Sequence, residues 1–411
     1  MIGNAEALPQ TGSAMTTATA LSPKRMWSAV GSMALCVSML IASEFMPVSL
    51  LTPIARDLRA TEGMAGQAIA VSGLFAVVTS LLIATIAGRF DRRNVLLTLT
   101  ALMTASLVLI AVAGSFPLLM VARAILGVVI GGFWALSTAT VMRLVPADAV
   151  PKALGLLYTG NAVATAFAAP IGSYFGGIVG WRGVFWALVP LGLATLVWQW
   201  VSLPSIKPQA AIPVGELFRL LKRRYVAFAT FAVMLTFAGA FTAFTYFRPF
   251  LEGTVRVTLP QLSALLLALG MAGFVGTYIA GRLAGSHLRP LLRWLPIGVA
   301  VATLAMLLGG RSLPAVAVAM FAWGTLNSAV PVAWGIWQTK GFADRPESGG
   351  GLMVAAIQLA IMLGAGLGGV LLDNLSIVAT FVGAVVLLVL ASFVVGNGER
   401  ILSADATGAG S

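Results

Sequence analysis

The chain has 411 residues, of which 59% are hydrophobic and 9% charged, with a net charge of +12; soluble domains run at about 45–50% apolar and about 25% charged. That balance excludes a water-soluble fold and points to a bilayer, where each crossing helix takes about 20 apolar residues. One cysteine, Cys36, and one histidine, His287, exclude a disulfide framework and a His/Cys metal cluster.

Residues 1–24 are small and polar and read as a disordered cytoplasmic tail. Apolar spans follow at Trp27–Pro53, Ala65–Ala87, Val95–Ala113, Phe116–Thr140, Lys152–Ile178 and Gly183–Leu203, which places an N-terminal bundle at 25–203. The first run leads into many others, so it is retained and is no cleaved signal. Residues 204–224 form a basic cytoplasmic linker. Spans resume at Tyr225–Pro249, Leu262–Leu283, Leu291–Gly309, Leu313–Gln338, Gly349–Leu372 and Ile377–Gly396, giving a C-terminal bundle at 225–397 and a cytoplasmic tail at 398–411. The expected fold is an all-α membrane protein of twelve transmembrane helices in two six-helix bundles.

Charge placement tests that count, because cytoplasmic loops hold the excess of Lys and Arg. With both termini inside, six of the 25 basic residues fall outside (Arg56, Arg59, Arg182, Arg248, Arg256, Arg311), Arg123 lies within a span, and the other eighteen fall inside. One span more or fewer would scramble this asymmetry. The net charge therefore reports orientation and calls for no nucleic-acid partner. The halves also echo each other: Ile86-Ala87-Gly88-Arg89 closes the second span as Ile279-Ala280-Gly281-Arg282 closes the eighth, and Trp134 answers to Trp334. Paired bundles about a midplane site are a transporter's architecture.

Several polar residues stand inside apolar spans. Glu44 is a carboxylate at membrane depth, where a charge costs about 2.5–3.5 kcal/mol. Counting along the helices puts Arg123 at similar depth, so the two form a proton-exchanging site or a static ion pair, or they face different neighbours. Arg123, Gly127, Gly131, Trp134 and Thr138 share one face of the fourth span, Phe237, Phe241 and Phe244 one face of the seventh, and Asn327, Pro331, Trp334 and Gln338 one face of the tenth. With Asn161 and Gln358, these rings and amides suit a flat heteroaromatic substrate, which stacks on rings and hydrogen-bonds along its edge. Plain helix packing would explain the same stripes. Arg89, Arg92 and Arg93 either anchor a gate or meet anionic lipid headgroups. Gly172, Gly176 and Gly177 permit close helix approach. No phosphate-binding G-x-x-x-x-G-K-[ST] loop is present.

Six plus six spans, a basic central loop and a Gly/Arg-rich turn after the second span resemble the major facilitator superfamily. Ser43-Glu44-Phe45-Met46-Pro47 through Pro53-Ile54-Ala55, and Arg123 with Gly127, Gly131 and Gly132, resemble its twelve-helix drug/proton antiporters. Phe133-Trp134-Ala135, Met142-Arg143-Leu144-Val145-Pro146, Ala168-Ala169-Pro170, Thr245-Tyr246-Phe247-Arg248-Pro249 and Leu371-Leu372-Asp373-Asn374 resemble the bacterial purine ribonucleoside efflux subgroup. The resemblance implies proton-coupled export by alternating access, no cofactor beyond the proton, and no enzymatic activity. It further implies a monomer spanning the bacterial inner membrane among lipid, with both ends cytoplasmic. It assigns proton coupling to Glu44 and Arg123, a gating role to the loop Gly88-Arg89-Phe90-Asp91-Arg92-Arg93, and helix packing to Pro170 and Gly172. Two motifs depart from the family pattern. The loop aligns on Asp91 or on Arg92-Arg93 but not on both, and the fifth-span antiporter motif survives only as Ala169-Pro170-Ile171-Gly172-Ser173. Export of another drug or a sugar, and facilitated transport without protons, remain the alternatives.

Overall fold

A computed structural model describes residues 22–207, 214–396 and 398–401. The expected tail at 1–21, the linker segment 208–213, Asn397 and residues 402–411 lie outside the described residues. Fourteen α-helices and no strand occur among the described residues: α1 (Pro23–Ser49), α2 (Leu51–Asp57), α3 (Glu62–Ala87), α4 (Arg92–Ala111), α5 (Phe116–Leu144), α6 (Val150–Ser202), α7 (Val214–Leu220), α8 (Arg224–Phe244), α9 (Phe247–Phe250), α10 (Leu259–Leu283), α11 (Leu288–Leu308), α12 (Leu313–Gly341), α13 (Pro346–Asn374) and α14 (Ile377–Val395).

At 53 residues, α6 would measure about 80 Å if straight, far beyond the about 30 Å of a bilayer's hydrocarbon. It breaks at Gly180, whose φ of 75° and ψ of 162° lie outside the helical region and suit a residue without Cβ. The two arms are the fifth and sixth spans, which brings the described spans to twelve.

Prolines shape the first span. α1 carries Pro47 and ends at Leu50, where φ is −113° and ψ 10°, before α2 restarts with Pro53 in its first turn. A proline donates no hydrogen bond to the carbonyl four residues earlier, so Pro47 orphans the carbonyl of Ser43 and Pro53 that of Ser49. Both matter below.

Each half has its own apolar core. One runs from Ala29 through Met103, Leu126 and Phe133 to Ile206, entirely within α1–α6 and the segment after it; two others lie almost wholly within α8–α14. The halves meet along α3 against α13 and along α6 against α10. Glycines permit the approach: a Cβ on Gly73 would stand 2.9 Å from that of Met362, and one on Gly270 would stand 2.2 Å from the carbonyl oxygen of Ala166. Ala166 is the carbonyl orphaned by Pro170, so that proline leaves an acceptor facing the other half. Gly172 plays the same packing part within its half, seated against Ser49 and Met46 of α1.

The linker and the start of the C-terminal tail carry structure of their own. The linker is not a bare connection: it contains α7, and Glu216 there accepts from Arg345 at 2.7 Å. In the expected tail, Ile401 is buried and its carbonyl accepts from the Trp337 indole at 2.7 Å. That bond satisfies a ring N–H which would otherwise be stranded in apolar surroundings.

Candidate functional site

Two arginines answer the two orphaned carbonyls. Arg123 of α5 is fully buried and donates from its Nη1 to the Ser43 carbonyl at 2.9 Å, from its Nε to the Ala68 carbonyl at 3.0 Å and from its Nη2 to Ser72 Oγ at 2.9 Å. Arg248 of α9 donates to the Ser49 carbonyl and, from Nε, to Glu252 at 2.8 Å. Arg123 therefore pins the bend within one half, whereas Arg248 reaches from one half into the other.

Glu44 follows Ser43 and is 4% exposed. None of the ion pairs among the described residues joins it to Arg123, so the static ion pair is not what holds this carboxylate. The guanidinium bears on Glu44 through space, and the side chain of Gln358 of α13 stands beside its carboxyl. Gln358 is itself 5% exposed. A buried carboxyl of one half is thus met by an amide of the other.

Immediately beyond Glu44, away from the termini, an aromatic seal joins the halves. Phe45 of α1 lies 5.9 Å from both Phe241 and Phe244 of α8, with the two α8 rings 5.6 Å apart. Val48, Ile69, Ile361 and Ala365 complete this shared cluster, against which Phe237 packs. The rings continue through Trp323, stacked on Phe244 at 5.8 Å, into the second half. Phe237 and Phe241, expected as substrate rings, are here parts of the plug.

The outermost layer is polar. Asp373, at the end of α13, accepts from Thr61 Oγ1 at 2.6 Å and from the backbone N–H of Gly63 at 3.0 Å. It thereby caps the N-terminus of α3 from the opposite half, where a helix leaves unpaired N–H groups and a partial positive charge. One turn on, a Cβ on Gly66 would lie 2.0 Å from the Tyr246 hydroxyl, whose hydrogen goes to the Ala365 carbonyl at 2.7 Å. Glu62 accepts from Thr52 at 2.9 Å. The end of the molecule away from the termini is closed.

The remaining expected residues divide. On α5, Gly127 and Gly131 face α3, where a Cβ would come 2.2 Å and 2.1 Å from the carbonyls of Ser72 and Ala76; this stretch of the stripe is packing. Trp134 is half-buried and stacks on Tyr158 at 6.3 Å with 20° between planes, and Thr138 Oγ1 lies 3.5 Å from the Tyr158 hydroxyl. Its counterpart Trp334 is 2% exposed and packs edge-to-face on Trp337, because the second half has filled that site with rings. Trp334 offers no surface to a substrate in this arrangement. Asn161, Asn327 and Gln338 are half-buried on α6 and α12.

The loop expected to gate binds its own half. Asp91 caps α4 by accepting from the Arg93 N–H at 2.8 Å, and it also takes the Ile206 N–H at 3.0 Å and the Ser205 hydroxyl. Burial would raise this carboxyl, but these donors and the Arg93 charge outweigh it and hold Asp91 below the usual carboxylate range. Arg93 donates to the Trp200 carbonyl at 2.6 Å, and the Arg92 N–H to the Ile206 carbonyl at 3.1 Å. Arg89 is exposed in the turn beside Gly88. Asp91, Arg92 and Arg93 therefore fasten the segment after α6 in this arrangement.

Residues 33–347 match the model of the Major Facilitator Superfamily. The chain belongs to the major facilitator superfamily. It is a multi-pass membrane transporter of that family and not an enzyme. A relative in Pseudomonas aeruginosa, the transcription regulatory protein OpdE, is 47% identical, with 89% of this chain and 92% of the relative covered. The purine ribonucleoside efflux pump NepI of Salmonella enteritidis is 40% identical, with 91% and 94% covered. Among solved structures, an inward-facing, occupied bacterial homologue of the human lysosomal transporter Spinster superposes with a TM-score of 0.73 at 16% identity, covering 91% of this facilitator chain and 96% of that one.

Arg248, Tyr246, Asp373 and Tyr158 escaped the sequence reading as site residues. Arg248 had a signal: Pro53 in the first span demands a donor for Ser49, and arginines at the outer ends are few. Tyr158 had none, because a tyrosine near a helix start is ordinary in membrane spans.

Proposed function

We propose that this facilitator-family chain exports a small organic solute, a purine ribonucleoside, in exchange for protons across the bacterial inner membrane, acting as a single chain with both termini cytoplasmic. The observation that carries the coupling is Glu44, a buried carboxyl at the meeting surface of the halves, beside the Gln358 amide and the charge of Arg123. A proton-exchanging group must be reachable from alternate sides as the halves rock, and that surface is where access changes.

The orientation is supported by the basic loops, and the substrate class by the NepI relative's name. The stacked Trp134 and Tyr158 rings beside Thr138 suit a heteroaromatic base. The name of the Pseudomonas relative does not redirect this reading, since the described residues of this chain are membrane helices and their connections. Exchange of a neutral nucleoside for one proton would move one net charge, worth about 2.3 kcal/mol per 100 mV.

Inside-out vesicles loaded with radiolabelled adenosine or inosine test it. Energised uptake is expected to collapse with a protonophore and with Glu44→Gln, and to be competed by unlabelled nucleosides. Uptake indifferent to both treatments would leave facilitated transport; coupled uptake competed only by a drug or a sugar would replace the substrate class.

A further inference from the structure

We propose that Gln358 is the positioning residue through which the protonation of Glu44 is transmitted from one half of the protein to the other. The inference rests on the coupling role proposed for Glu44. Its own evidence is the amide: the Gln358 side chain stands beside the Glu44 carboxyl, and its carbonyl oxygen Oε1 is buried with no hydrogen-bond partner. Buried acceptors are nearly always satisfied, and one left open beside a titratable group calls for a reason.

The chemistry of the pair supplies it. An ionised carboxylate only accepts, so it can engage the amide N–H but offers nothing to Oε1. When Glu44 takes a proton from water its charge falls from −1 to zero, and the new O–H becomes a donor. The carboxylic acid and the amide can then exchange two hydrogen bonds, O–H to Oε1 and Nε2–H to the carboxyl oxygen. Because α1 and α13 belong to opposite halves, the second bond ties the halves together at membrane depth, just inside the aromatic seal. Loss of the proton removes that bond and returns Oε1 to its open state. Protonation therefore favours the arrangement closed away from the termini, and deprotonation favours its release.

The surroundings suit a sensitive contact. Gly73 on α3 lets α13 come so near that its Cβ would lie 3.1 Å from the backbone oxygen of Gln358, and the preceding Ser72 holds Arg123. Among the charged groups on helices packed against α1, Arg123 of α5 bears on Glu44. Arg248 of α9 is bound to Ser49 and Glu252. Arg56 and Asp57 of α2, Glu62 of α3, Asp91 capping α4 with its Arg92 and Arg93, Arg143 of α5, Lys152 and Arg182 of α6 and Asp373 of α13 sit at helix ends.

Full-length protein in lipid nanodiscs, carrying spin labels at Ile178 and Leu375 as exposed sites on the two halves, gives the test. Distance distributions are recorded from about pH 5 to about pH 9, a range clear of the unperturbed aspartate and lysine values. Wild-type protein is expected to shift toward the short distance as pH falls, by about fivefold or more in the closed-to-open ratio. Glu44→Gln, whose amide can donate to Oε1, is expected to hold the short distance at every pH. Gln358→Met, apolar and of the same length, is expected to lose the pH response. Gln358→Asn, which withdraws the amide by one methylene, is expected to lose it too and serves where the methionine variant does not fold. A wild-type response in both Gln358 variants, with Glu44→Gln unresponsive, would overturn the role of Gln358 and leave Glu44 in place. A pH response surviving in Glu44→Gln would instead remove the coupling reading beneath it.

Discussion

Substitution of Asp373 tests how the end away from the termini is held shut. Its carboxylate accepts from Thr61 Oγ1 at 2.6 Å and from the Gly63 N–H at 3.0 Å, across the division between halves. Beside Thr61, which accepts from the Met64 N–H, it acts as a second cap on this helix supplied from the other half, and losing a capping Asp costs about 0.5–2 kcal/mol. The charge itself contributes about 0.3–1 kcal/mol of that at an exposed helix terminus. Only the closed state makes the contact, so the whole loss falls on the closed-to-open ratio. Asp373→Ala should lower that ratio about twofold to thirtyfold, and Asp373→Asn, which keeps the cap geometry and loses the charge, about twofold to fivefold. The geometry adds an independent perturbation in Gly66→Ala. Its Cβ would stand 2.0 Å from the Tyr246 hydroxyl and 2.6 Å from the ring, and a packed ring gives way less easily than a carboxylate. It should open the same end at least as far. The assay is accessibility of a cysteine placed at Ile69, in the shared cluster behind the closure, to a membrane-impermeant maleimide; Cys36 is buried and free. Equal labelling of Asp373→Ala, Gly66→Ala and the parent would refute the reasoning, because neither contact would then bear on closure.

Three further predictions concern other links. Arg123→Met should leave the Ser43 carbonyl unpartnered at a cost of about 1–3 kcal/mol, and Pro47→Ala should recover part of it by restoring a backbone donor; a double-mutant cycle in thermal unfolding without coupling between the two sites would contradict this. Asp91→Ala should lower stability by about 0.5–2 kcal/mol. Asp91 is held below the usual carboxylate range, so that stability is present above an ordinary carboxylate's pKa of about 3.9 and lost as pH falls through the lower folded value; a penalty unchanged in strong acid would be the wrong sign. Trp134→Ala should weaken nucleoside binding by about 1–3 kcal/mol if the base stacks there, while Trp334→Ala should chiefly destabilise the second half; the reverse pattern in a binding titration and a melting curve would reassign the rings.

Much of this protein was legible in its sequence because lipid imposes strong one-dimensional rules. Apolar length gave the spans, since each must cross the hydrocarbon, and Lys and Arg placement set their expected sidedness. The motif strings pointed to the family that the comparisons then showed. Glu44 and Arg123 could be singled out because a charge at membrane depth needs a reason wherever its neighbours lie. Partnership is another matter, since it depends on which helix faces arrive together. Arg123 proved to answer the carbonyl freed by Pro47 and makes no ion pair with Glu44. The matched Trp134 and Trp334 ended in unlike surroundings, because pseudo-symmetry in sequence does not oblige two cores to fill alike. The contacts of Gln358 with Glu44, of Asp373 with α3 and of Arg248 with Ser49 all join residues 199 or more positions apart. Only the docking of the two bundles decided them, for a hydrogen bond is fixed by distance and direction in space, and sequence separation carries neither.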